Sequence, residues 1–167
     1  MLNMAGLKEE EDLFAPRIDS FKNRWMWLVI NLWTAFVASR VIGMLEGSIE
    51  KIVALAALMP IVAGIGGNSG NQTITMIVRS LAMGQLNLSQ SGRLLRKELG
   101  VALLNGIIWG SVMGVVSYLL YGSIGIGLVM VTAMTLNLVL AATMGVLIPV
   151  IMEKFGRDPA LGSSVLI

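Results

Sequence analysis

The second long apolar run, residues 52–83, constrains this chain more than any other feature. As one helix it would be about 48 Å long, against a hydrocarbon core of about 30 Å. Inside it stand Pro60 and then Gly64-Ile65-Gly66-Gly67-Asn68-Ser69-Gly70-Asn71-Gln72. Helix breakers and amides therefore sit within a membrane-length segment. In lipid, freed backbone groups are tolerated only where protein or water satisfies them. The stretch predicts an interrupted, kinked helix that either packs tightly on a neighbour or borders a polar path.

The other runs complete an all-α membrane architecture. The first span covers 25–45, with Trp25, Trp27 and Trp33 near its start, where interfacial indoles are expected. The third covers 100–121 and the fourth 124–152, with Pro149 near its end. A last apolar stretch, 160–167, reads as the start of a fifth span. Residues 1–24 are polar and read as a connector outside the bilayer, so the membrane domain is 25–167. Composition agrees: 56% of the 167 residues are hydrophobic and 13% charged. Soluble domains have roughly 25% charged residues.

Basic residues predict the orientation. Lys8, Arg17, Lys22, Arg24, Arg79, Arg93, Arg96, Lys97, Lys154 and Arg157 fall on one side of such a bundle. Lys51 falls on the other, and Arg40 lies late in the first span. The positive-inside rule puts the N-terminus in the cytoplasm, in a cell (inner or plasma) membrane. The segment 84–98 then reads as an amphipathic cytoplasmic surface loop. The same distribution explains the net charge of +2 by topology, without a nucleic-acid partner.

Two absences limit the chemistry. The chain has no cysteine and no histidine, which excludes thiolate and imidazole ligands and nucleophiles. No pair of carboxylates lies within the spans, so neither an enzyme nor a proton relay is indicated. Neutral amide oxygens are what remain. Asn68, Asn71 and Gln72 supply them, and glycines allow close approach to backbone carbonyls. Such oxygens can hold the waters of a hydrated hard cation. The residues alone leave the alternative open, in which Gly66 and Gly70 pack a kinked helix and the amides bond neighbours.

Gly106, Gly110 and Gly114 recur every four residues and predict a packing stripe in the third span. Asn31, Thr34, Asn105, Thr132, Thr135, Asn137 and Thr143 are single polar groups expected to bond across helices. Glu46 and Glu50 lie one helical turn apart in an outer loop, where two carboxylates would concentrate cations.

Pro60, the Gly-Gly-Asn-x-Gly-Asn-Gln signature at 66–72 and Ile77-Val78-Arg79-Ser80-Leu81-Ala82 resemble the MgtE family of magnesium channels and transporters. Pro149 and Gly156-Arg157-Asp158-Pro159-Ala160 are similar to its fourth-to-fifth-span connection. Trp25-Met26-Trp27-Leu28 and Lys97-Glu98 are similar to its first- and third-span entries. The resemblance implies a homodimer of five-span protomers with the pore on the dimer axis, in the lipid bilayer. It implies Mg²⁺ as the transported ion, largely hydrated, with other divalent cations as further candidates. Its metal-holding positions carry over as Gly64, Gly67, Asn68 and Asn71. Glu46 and Glu50 fall at its outer mouth and Asp158 at its cytoplasmic mouth. The family's ion-binding aspartate on the fifth helix would lie past Ile167, so the resemblance implies an incomplete pore from these residues alone. The expected activity is passive, channel-like Mg²⁺ permeation. The alternatives are an ion-coupled cation transporter and a non-conducting membrane assembly subunit.

Overall fold

The computed structural model describes residues 17–45, 53–86 and 90–156. Among them the chain is all-helical, with four helices: α1 (Arg17–Gly43), α2 (Val53–Ala82), α3 (Ser91–Tyr121) and α4 (Ile124–Lys154). The last three are long and apolar enough to cross a membrane; α1 carries a shorter apolar segment, Leu28–Gly43. The stretch 160–167 lies outside the described residues.

The helix bounds add detail at three points. Helix α1 begins at Arg17, so the first apolar run continues from the helix that precedes it. The segment 84–98 is not one surface loop. Helix α3 starts at Ser91, and Glu98 is already buried within it. Most important, α2 is not interrupted: Pro60 and the whole glycine–asparagine stretch lie inside one helix of 30 residues. Proline removes one N–H and crowds the carbonyl one turn earlier. Burial of the helix against α4 offsets that local cost, because tertiary packing outweighs intrinsic propensity.

Turns between helices use glycine where the backbone must become left-handed. Gly122 closes α3 at φ 65°, with its N–H donating to Tyr118 O at 2.8 Å. Gly84 does the same after α2, where Gln85 N–H donates to Ser80 O at 2.9 Å. The turn at Gly122 is tight, so α3 and α4 fold back on one another.

The glycine stripe sets how α3 meets α4. A Cβ at Gly106 would lie 2.7 Å from Thr135 Cα, and one at Gly110 would lie 3.0 Å from Val131 O. At Gly114 it would lie 2.9 Å from Gly127 O. As the glycines advance by four, their partners retreat by four, so the helices are antiparallel and nearly backbone to backbone. Without side chains between them, dispersion contacts run along the whole seam.

Helix α2 packs on a neighbouring face of α4 and runs parallel to it. Gly66 faces Asn137, and a turn or two later Thr73 and the Gly70 carbonyl face Gly145. Leu58, Met130 and Met134 form one core cluster, and Ala102, Leu138 and Ala142 a second. Ile65 of α2 packs against both. These directions bring Arg79, Arg93, Arg96, Lys97 and Lys154 to one end of the bundle. The outer surface is apolar, with Leu104, Ile108, Val115, Leu119 and Leu136 exposed. Such an exterior suits lipid rather than water.

The scattered polar residues divide. Asn137 Nδ2 donates to Val62 O at 2.6 Å, crossing from α4 to α2 as expected. The threonines do not cross: Thr34, Thr132, Thr135 and Thr143 return their hydroxyls to carbonyls of their own helices at 2.7–2.9 Å. A threonine hydroxyl reaches the carbonyl one turn back without help from another helix. An amide on a longer stem reaches past its own helix. Removing it with Asn137→Ala should lower stability by about 0.6–1.7 kcal/mol, the range for interhelical hydrogen bonds in membranes. Reversible unfolding in mixed micelles reads this; no loss would show that the bond is replaced in the variant.

Candidate functional site

Helix α2 has two faces, and the Gly/Asn cluster is divided between them. Gly66, Gly70, Thr73, Ile74 and Ile77 are buried toward α4. A Cβ at Gly66 would meet the Asn137 amide, so a larger residue there would have to move that side chain from its bond to Val62 O. On the other face, Gly64, Asn68, Asn71 and Gln72 are exposed, and Gly67 is half-buried. Nothing lies within 4 Å of where a Cβ on Gly64 or Gly67 would stand.

The exposed face is a polar strip. Asn68, Gln72, Thr75 and Arg79 follow one another at helical spacings of four, three and four, so they share one side. Asn71 stands beside them. These residues line an open groove of about 890 Å³ that continues past Ser80 to Gln85 at the end of the helix. Two hydroxyls in it are internally satisfied: Thr75 Oγ1 donates to Asn71 O, and Ser80 Oγ to Met76 O, both at 2.8 Å. The side-chain amides of Asn68, Asn71 and Gln72 have no hydrogen-bond partner among the described residues.

Of the expected metal-holding positions, Asn68 and Asn71 line the groove, while Gly64 is exposed and Gly67 half-buried nearer the start of α2 and neither lines it. Glu46, Glu50 and Asp158 lie outside the described residues. No cluster of three or more carboxylates occurs among the described residues. The groove offers amide oxygens and hydroxyls, with Met76 and Met83 beside them. That donor set fits outer-sphere contact with a hydrated cation better than direct ligation. The strip's extension through Thr75, Arg79 and Gln85 was missed in the sequence reading. Its signal was the four–three–four spacing from Asn68 to Arg79, hidden by the apolar residues between.

Apolar helices of membrane length with a lipid-suited exterior and one polar groove define an integral membrane protein of the polytopic helical class. The model for the MgtE family, described as a divalent cation transporter, matches residues 59–167, and the chain belongs to that family. The magnesium transporter MgtE of Thermus thermophilus is 37% identical over 149 residues, 86% of this chain and 32% of the relative. That of Bacillus subtilis is 30% identical over 144 residues, 86% of this chain and 32% of the relative. The Enterococcus faecalis protein is 30% identical over 164 residues, 98% of this chain and 36% of the relative. The chain thus spans about a third of the length of these curated relatives.

Proposed function

We propose that this chain forms membrane-embedded conduction machinery for Mg²⁺, with the ion passing along the polar strip of α2. The observation that carries the reading is a row of amides, unpartnered among the described residues, on an exposed face of a membrane-length helix. In lipid such a face demands water or protein against it. The curated relatives are named magnesium transporters, which supports the choice of ion. Mg²⁺ gives up its waters reluctantly, so the neutral amide oxygens at the Asn68–Gln72 end of the wide groove suit the hydrated ion. Flow is passive, driven by gradient and membrane potential.

The remaining parts follow from the same reading. The groove is open on one side, and a second copy facing it would close a path along a two-fold axis. The end of α2 that carries Arg79 faces the cytoplasm, because the basic residues gather there. Helix α1 is the first span, and a fifth begins near 160. Glu46 and Glu50 draw cations to the outer mouth, and Asp158 stands at the inner one. The assembly-subunit alternative accounts for Gly66 and Gly70, which do pack. It leaves the amides of the opposite face without a purpose.

Producing the full-length protein in a cell that lacks magnesium uptake should restore growth in low-Mg²⁺ medium. Absence of rescue at normal membrane levels would remove this reading.

A further inference from the structure

Arg79 is the one residue of the strip whose charge opposes the proposed cargo. It stands eight residues beyond Asn71, about 12 Å further along the helix. It lines the same groove and is exposed. It has no ion pair among the described residues, where the single pair is Lys97 with Glu98 at 4.0 Å. A cation in the last turn complements the C-terminal dipole of α2, which explains a basic residue near this end. The dipole does not explain why that residue stands on the polar strip.

We propose that Arg79 makes the groove rectify, by lowering the concentration of divalent cations at the mouth where it stands. This rests on the conduction reading above. A fixed positive charge at one mouth repels cations waiting to enter there. Cations arriving from the far end cross the same field, so without a voltage both flows fall alike. An applied voltage drives outgoing ions over it, while flow drawn from the Arg79 mouth stays limited by the depleted supply there. Flow that starts at the Arg79 mouth is therefore reduced more than flow that ends there. On the proposed topology that mouth is cytoplasmic, so at voltages of equal size and opposite sign Arg79 reduces outward Mg²⁺ current more than inward current. At about 8 Å, in water-like surroundings with physiological salt, one charge depletes a divalent ion roughly two- to fourfold.

The test measures Mg²⁺ flux in both directions through the full-length protein in membranes of known orientation, with equal Mg²⁺ on both sides and voltages of equal size and opposite sign. Arg79→Gln should raise the ratio of outward to inward flux by about two- to fourfold, and Arg79→Lys should keep the original ratio. In the unmodified protein, raising monovalent salt at the Arg79 mouth should move the ratio the same way, since screening weakens the repulsion. This arm does not depend on any variant folding. A ratio unmoved by both the glutamine substitution and salt overturns the role of Arg79 and leaves conduction standing. No Mg²⁺ flux in either direction through the unmodified protein overturns the conduction reading itself.

Discussion

Gly106→Leu is expected to disrupt the α3–α4 seam, with a loss of about 3 kcal/mol or more in stability. Even the first added carbon would lie 2.7 Å from Thr135 Cα. That neighbour is backbone, so no rotamer change relieves the clash. The helices must move apart, and the close contacts at Gly110 and Gly114 loosen with them. A leucine adds three further carbons beyond this one. Gly100→Leu is the matched control, on the same helix with nothing within 4 Å of its Cβ position. The control should unfold near the original temperature, while Gly106→Leu should yield little folded protein or unfold far earlier. Equal unfolding temperatures for the two variants would show that the seam does not depend on backbone contact.

The second large effect is on transport. Asn71→Ala is expected to lower Mg²⁺ flux at least about tenfold while leaving the fold intact, a tenfold loss being about 1.4 kcal/mol. Stability should hold because Asn71 is exposed and its amide has no partner among the described residues. Surface changes of this kind usually stay within about 0.5 kcal/mol. Flux should fall because the amide is one of few neutral oxygens in the groove able to replace bulk water around the ion. Flux into liposomes and thermal unfolding should be measured on the same preparation. Full flux in the variant would favour a purely structural role for this face. A fall in both together would mean that Asn71 holds the fold rather than the ion.

Much of the helical frame was legible in the residues. The apolar runs at 100–121 and 124–152 anticipated the cores of α3 and α4, and the Gly106-Gly110-Gly114 repeat anticipated their close packing. Those features are local: length, hydropathy and a spacing of four can be read along a chain. The continuity of α2 was not legible. Pro60 and the glycines argue for a break by propensity, and only contact with α4 outweighs that argument. The hydroxyls of Thr132, Thr135 and Thr143 also looked like interhelical glue. Whether a threonine turns to its own carbonyl or to a neighbour depends on what stands opposite, which the sequence does not contain.

The candidate site shows the same division. By itself the sequence determined that residues 64–72 are the unusual part of the chain, that their chemistry is neutral oxygen, and that they lie within a membrane-length segment. Only the tertiary structure decided which of them face inward. A helix advances 100° per residue, so consecutive glycines cannot share a face. Placing α4 against Gly66 and Gly70 assigns those two to packing and turns Asn68, Asn71, Gln72 and Arg79 to the open groove.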